Sequence, residues 1–252
     1  RDRLKCLLMV YVDDFKMSGP ATGLKEAWKR IRKGIETDTP DKVDKCLGCV
    51  HHTSKVTIPK QSATVTGAAA KGTQEVQIME YDVESFMTEC VTAYNTACGE
   101  PDMVLKKVDT PFIATPEGGG DAPSALVEGE PVGALQPIAC SILMNIFYGA
   151  RTARWDLLKI VQLLASKVTK WSRECDKALH RLMCYIQHSK NLRLQGFIGD
   201  SKEHLSLRIC ADADLGGDRP EFKSTSGAFL CLVGTHSFFP LSAKVTKQTA
   251  VA

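Results

Sequence analysis

Two carboxylates stand side by side at Asp13 and Asp14, between an apolar run at residues 6–12 and the return Phe15-Lys16-Met17. Adjacent carboxylates repel, and a fold gains nothing by placing them together in a turn. A divalent cation reverses that balance, because Mg²⁺ prefers carboxylate oxygens and keeps water and phosphate ligands as well. Two such ions stabilise both the attacking and the leaving oxygen of a phosphoryl displacement. A second acidic group, Asp212-Ala213-Asp214, ends an alternating pattern and precedes Gly216-Gly217-Asp218 and Lys223-Ser224-Thr225-Ser226-Gly227. A strand end holds a first metal ligand rigidly. Taken alone, the same residues read better as a polar turn after an edge strand.

Other chemistry-bearing residues make weaker patterns. Cys46-x-x-Cys49 with His51 and His52 offers thiolates and imidazoles, the ligands of zinc. Cys49 and His51 alternate along a predicted strand, and no second ligand pair follows at a distance, so buried thiols near surface histidines describe them better. His180 and His188 lie two turns apart on a predicted helix. Trp28, Trp155 and Trp171 offer faces for base stacking, although core packing is the commoner use of tryptophan.

The elements that must hold these residues follow from periodicity. Residues 6–12 read as a buried strand, the acidic pair as a tight turn and the residues after it as a returning strand. Leu24, Trp28, Ile31 and Ile35 recur at helical spacing, which predicts an amphipathic helix over 22–36 packed under the hairpin. Its outer face carries Lys25, Lys29, Arg30, Arg32 and Lys33, which is either a solvated face or a ridge for phosphates. Short strands are predicted at 47–51, 56–58, 64–66 and 75–79, and a helix over 81–97 ending near Gly99 and Pro101. No Lys or Arg stands between Lys107 and Arg151, while Pro and Gly are frequent, which predicts a flexible, solvated linker over 108–136. Helical patterns resume after Pro137 through 165. A further helix is expected over 172–188 with Ser172 as N-cap. Leu205, Leu207 and Ile209 alternate as in a half-buried strand. Residues 228–233 form a second strand, and 236–241 pair back across Gly234-Thr235.

Composition limits the reading. The chain has 252 residues with 44% hydrophobic and 24% charged, enough to bury a core and too apolar for wholesale disorder. The net charge of +3 is too small to announce nucleic-acid binding by itself. Ten scattered cysteines, several inside apolar runs, look like free buried thiols of a reducing compartment. No run reaches the ~18 apolar residues of a bilayer span. A first residue of Arg1, and no sign of a natural terminus at Ala252, predict a fragment of a longer chain.

In order and spacing the two acidic groups and their surroundings resemble the Pol polyprotein of copia-type LTR retrotransposons. The polymerase turn of that family is Tyr-Val-Asp-Asp, found at Tyr11-Val12-Asp13-Asp14. A Leu-Gly element matches Leu47-Gly48, and the Thr-Pro that leaves the polymerase matches Thr110-Pro111. An Arg-Pro-Asp element corresponds to Arg154-Trp155-Asp156, and a Leu-x-x-Tyr-Ile helix to Leu182, Tyr185 and Ile186. The opening of ribonuclease H, Asp-Ala-Asp then Lys-Ser-Thr-Ser-Gly, matches Asp212-Ala213-Asp214 and residues 223–227, and Lys247-Gln248 matches the pair that precedes the next catalytic Glu. Trp155 stands in place of the usual Pro and Leu215 in place of a Trp. The family's first palm Asp would lie before Arg1, and its next ribonuclease H carboxylates after Ala252.

The resemblance implies an α+β fold. Its parts would be a partial reverse-transcriptase palm with hairpin and helices over 1–107, the linker 108–136, a helical connection over 137–190 and a partial ribonuclease H-like sheet over 191–252. It implies a fragment of an RNA-directed DNA polymerase with ribonuclease H, inactive by itself. Asp13, Asp14 and Asp212 would be catalytic ligands of Mg²⁺ (or Mn²⁺), with Asp13 the more direct of the palm pair. Tyr11, Lys25, Lys29, Arg32 and Lys33 would contact nucleic acid. Partners would be template–primer, RNA–DNA hybrid, deoxynucleotide triphosphates and the rest of the polyprotein, with no membrane. The implied location is an intracellular virus-like particle in the cytoplasm, with access to the nucleus. The alternative is a catalytically dead remnant, at most a nucleic-acid or protein binding module.

Overall fold

The computed structural model describes residues 4–59, 72–113, 123–214 and 223–251. The expected strand at 64–66, the middle of the linker at 114–122, and the stretch holding Leu215 and Gly216-Gly217-Asp218 lie outside them. Helices and antiparallel strands both contribute heavily, so the class is α+β. The chain forms two compact units that divide between His51 and His52.

In the first unit, strands β1 (Leu7–Tyr11) and β2 (Asp14–Ser18) pair antiparallel across Val12-Asp13, with Tyr11 opposite Asp14. Helix α1 (Ala21–Ile31) follows and ends in hydrogen-bonded turns through Ile35, shorter than the periodicity predicts. Gly23 is the contact point with the strand entry: a Cβ there would come within 2.4 Å of the Leu4 carbonyl oxygen. Every residue of β1 is exposed, Leu7 by 73% and Val10 by 53%, so the expected buried strand is corrected. A two-stranded ribbon shields little of itself, and among the described residues no third strand joins this sheet. Strand β3 (Lys45–Cys46) and the start of β4 (Cys49–Pro59) form a second hairpin whose turn is Leu47-Gly48, both residues at positive φ (52° and 76°). The Leu-Gly element is therefore turn chemistry, since two-residue hairpin loops need φ > 0 at their centre.

In the second unit β4 continues without the break expected between 51 and 56 and joins a sheet ordered β4-β5-β6-β9-β8-β7. Its members are β5 (Thr73–Asp82), β6 (Leu194–Ile198), β7 (Ser206–Ala213), β8 (Lys223–Gly234) and β9 (Ser237–Val251). Strands expected in different modules thus share one sheet: β5 pairs with β6, Gln77 opposite Ile198 and Tyr81 opposite Leu194. Arg193 reinforces that junction with ion pairs to Asp82 (2.8 Å) and Glu80 (3.5 Å). The compact units therefore do not divide at 107/108 or 136/137. Strand β7 pairs with β8 as expected, Leu207 opposite Leu232 and Ile209 opposite Leu230. As an edge strand it is exposed throughout rather than half-buried.

Four helices supply the apolar core beside the sheet: α2 (Glu84–Ala97), α3 (Gln136–Thr152), α4 (Leu158–Ala165) and α5 (Arg173–Ser189). Their buried stripes include Met87, Leu143, Ile146, Leu164, Leu179 and Leu182. Helices α2 and α3 approach closely at Gly149, where a Cβ would collide with Met87 Cε. The helical pattern expected from 137 to 165 breaks at Ala153 into a short 3-10 turn, Trp155–Leu157. Ser172 caps α5 by accepting from the Cys175 N–H. Residues 123–136, inside the expected linker, are mostly exposed and are anchored at several points. Leu126 and Gly133 donate backbone hydrogen bonds to Lys170 and Trp171, and Asp176 accepts from Ala134 and Leu135.

Candidate functional site

The acidic pair sits at the tip of the β1–β2 hairpin. Val12, the first turn residue, is held at φ 54° and is 84% exposed. A β-branched side chain in the left-handed region is strained, and nothing packs against it to justify the cost. Such strain concentrates where geometry serves a function. Asp13 and Asp14 are both exposed, and among the described residues neither forms an ion pair. The donor set fits a hard divalent cation in kind, two carboxylates in adjacent positions. Among the described residues no third acidic, histidine or cysteine side chain joins them.

Asp212 belongs to the second unit. It lies near the end of β7 opposite Gly227, with its Oδ1 accepting from the next N–H, Ala213, at 2.9 Å. Asp214 is used differently. Its carboxylate accepts from the Thr225 N–H, while its own N–H donates to the Thr225 carbonyl at 3.1 Å. Ser224 and Thr225 are buried, and Gln248 Nε2 donates to Ser226 Oγ at 2.7 Å. Asp214, the Lys-Ser-Thr-Ser-Gly segment and Gln248 therefore lock three strands together, and Asp212 is left exposed beside them. A Cβ on Gly227 would meet only the Asp212 carbonyl oxygen, at 4.0 Å, so the strand opposite leaves room there.

Of the expected nucleic-acid contacts, the structure brings Lys25, Lys29, Arg32 and Lys33 together along one groove of about 970 Å³ in the first unit. Tyr11, 55% exposed on β1, does not line it. Sequence reasoning missed Lys42, which closes the opposite wall, because nothing in the spacing ties a loop residue to a helix. Trp28 lines the groove instead of being enclosed in a core.

The remaining candidates are structural. Cys46 pairs across the hairpin with Cys49. His51 is buried with Lys16 Nζ 2.9 Å from its Nε2, and burial, then the nearby ammonium, holds its pKa below the ordinary value. His52 pairs with Asp82 at 3.3 Å. His180 bonds the Tyr94 hydroxyl and His188 the Leu105 carbonyl oxygen. Arg154 is buried to 1% exposure, and its guanidinium holds Asp156 with two bonds (2.9 and 2.7 Å) and Ser189 with two more (2.9 and 2.8 Å). Trp155 opens the 3-10 turn, where a helix start needs no N–H and Pro would fit. Its ring meets Phe229 edge-on at 5.7 Å. An unanticipated cleft of about 680 Å³ lies between α3, α4 and β9, with Phe147, Trp155, Arg151 and Lys244 in its walls. No described helix is long and apolar enough to cross a membrane.

No protein-family model, no curated protein and no solved structure matches the chain.

Proposed function

We propose that the chain is the junction of polymerase and ribonuclease H from a copia-type retrotransposon Pol polyprotein. The observation that carries the reading is the Tyr11-Val12-Asp13-Asp14 turn, with two exposed carboxylates at the tip of an antiparallel hairpin on a strained Val12. On this reading Asp13 is the direct ligand of Mg²⁺ or Mn²⁺ for nucleotide addition and Asp14 its neighbour. Asp212 plays the same part for hydrolysis of RNA in an RNA–DNA hybrid. The cation, when bound, neutralises phosphate charge and favours in-line displacement. Each carboxylate holds that charge at a fixed place, because one lies in a two-residue turn and the other near the end of a paired strand. Template–primer, deoxynucleotide triphosphates and the remainder of the polyprotein are the partners, in an intracellular particle. The second reading, a dead remnant that binds nucleic acid, draws on the basic groove, which needs no catalysis to act.

The test uses the longer reading frame that carries the further carboxylates the resemblance requires. Primer extension and hybrid cleavage are measured on wild type, Asp13→Asn and Asp212→Asn. The first variant is expected to lose DNA synthesis and keep cleavage, and the second the reverse. The 252-residue chain alone is expected to turn over neither substrate. Loss of both activities in either folded variant, or of neither, refutes the reading. An inactive wild-type frame that still binds nucleic acid supports the remnant.

A further inference from the structure

The groove beside α1 has a composition that a solvated helix face does not require. Three successive helical turns present a pair each: Leu24 with Lys25, Trp28 with Lys29, and then Arg32 with Lys33 just past the helix end. The spacing i, i+4, i+8 keeps all three pairs on one face. The apolar pair Leu24 and Trp28, about 6 Å apart along the axis, therefore lies beside a basic stripe that runs for about 12 Å. Across from the helix, residues 40–43 supply the other wall with Lys42 and Val43, and Met17 of β2 adds to the apolar lining. The groove thus holds five cations against one carboxylate, Asp41. Among the described residues none of those five cations forms a salt bridge, whereas Arg30, on the same helix but outside the groove, is paired with Glu26 at 2.7 Å. The helix pairs directly the cation that faces away, and the cations around the groove make no close ion pair among the described residues.

We infer that this groove binds single-stranded nucleic acid, with phosphates held by Lys25, Lys29, Arg32, Lys33 and Lys42 and a base stacked on Trp28. The charge complement calls for a polyanion. The apolar lining distinguishes among polyanions. A duplex offers such a groove only its phosphates, and its bases are stacked inside. A single strand offers phosphates and unstacked base faces together, and stacking platforms beside cationic tracks are how single strands are held without sequence preference. A lipid surface needs an apolar face that projects, and here the apolar residues share a concave groove with the cations. The inference does not rest on the catalytic reading, because it concerns binding and involves neither Asp13 nor Asp212.

The experiment is fluorescence-anisotropy titration of the whole 252-residue chain against a labelled oligothymidylate, across salt from about 50 to 200 mM. With five cations engaged, and about 0.7 counterions released per phosphate contact on a single strand, log K should fall against log salt with a slope near −3.5. Lys29→Gln with Arg32→Gln should reduce that slope by about 1.4. Trp28→Leu should weaken binding about 5- to 150-fold at an unchanged slope, because a stacked base carries no charge. Trp28→Phe, which keeps an aromatic face and the packing, should recover most of the affinity, so a folding defect in the leucine variant does not decide the matter. A slope shallower than about −1 overturns the inference. So does wild-type affinity in both Trp28 variants, tighter binding to a duplex of the same length, or tighter binding to anionic phosphatidylserine vesicles or polyglutamate. Activity lost in the longer frame with binding retained here would sink the catalytic reading alone.

Discussion

Arg154 and Asp156 form a polar junction that is buried on one side only, and the consequences of cutting it on either side are unequal. The Arg154 side chain is 1% exposed, whereas that of Asp156 is 35% exposed. Replacing Asp156 by Leu leaves a guanidinium that water cannot reach, held only by the Ser189 carbonyl and hydroxyl oxygens and the Tyr185 ring 5.8 Å away. Breaking a buried pair in this way costs about 3–5 kcal/mol. Replacing Arg154 by Met leaves instead a carboxylate that water can reach and that still accepts from the Tyr185 hydroxyl at 3.1 Å. The loss there is chiefly the two hydrogen bonds to Ser189, whose carbonyl still accepts from the Leu192 N–H at 3.0 Å, and the ring contact, about 2–3 kcal/mol. The order is therefore Asp156→Leu worse than Arg154→Met, and the double variant no worse than Asp156→Leu alone. Urea unfolding followed by circular dichroism reads this directly, and for a unit of this size the larger loss corresponds to about 10 °C in melting temperature. If Arg154→Met proves the more damaging, or if Asp156→Leu costs under about 1 kcal/mol, the burial asymmetry does not govern the site.

Three further outcomes are expected. Val12→Asn should raise the stability of the first unit by about 1 kcal/mol, because Asn tolerates the left-handed region and the exposed Val12 has no packing to lose; a lowered urea midpoint would contradict this. Burial, and then Lys16, depress the pKa of His51, so between that folded value and about 6.5 the unfolded chain binds the extra proton and stability rises with pH. That gain is complete above about pH 6.5 and is lost as pH falls toward the folded value. Lys16→Met should move the His51 NMR titration midpoint upward, and a wild-type midpoint at or above about 6.5 would be inconsistent with the buried site. Among the cysteines, Cys140 and Cys210 are exposed, while burial pushes the Cys90 thiol up to about 12. Iodoacetamide mapping by mass spectrometry should therefore find Cys140 and Cys210 modified first and Cys90 last, and early labelling of Cys90 would mean that α2 opens readily.

Local signals were legible where one element satisfies itself. The hairpin around Asp13-Asp14, the Ser172 cap and the β7–β8 pairing each depend on neighbours in sequence or on a strict alternation, and the structure contains all three. What sequence reading missed lies between distant segments. Strand β6, too short to show a clear period, gains its place through Tyr81 and Glu80 on β5, more than a hundred residues earlier, and through its pairing with β9. The exposure of β1 was missed because a continuous apolar run states what a strand could bury, and only the arrangement of layers decides whether anything covers it. The anchors within the expected linker are not legible for the same reason: low charge and frequent Pro and Gly describe its local chain, while its hydrogen bonds to Trp171 and Asp176 join distant segments.

The motifs that carried the resemblance separate into two physical kinds once their partners are known. Leu47-Gly48 makes a turn, Arg154 and Asp156 clamp a helix junction onto Ser189, Asp214 is bonded in both directions to Thr225, and Gln248 holds Ser226. Each of these has a role in holding the fold that accounts for the residue types used. Among the described residues Asp13, Asp14 and Asp212 have none: they are exposed, and the one hydrogen bond of the Asp212 carboxylate there is from its own neighbour. Removing them would cost the folded chain little, and in the hairpin it would relieve a repulsion between adjacent charges. Carboxylates whose place is set by a strained turn and by the end of a paired strand, and which make no interaction that holds the fold among the described residues, are the ones on which the proposed chemistry rests. Replacing Asp13, Asp14 or Asp212 by Asn should therefore leave the urea midpoint within about 0.5 kcal/mol of wild type, as for ordinary surface sites. A loss above about 1 kcal/mol at any of them would place that residue among the structural motifs and withdraw the argument for its role in catalysis.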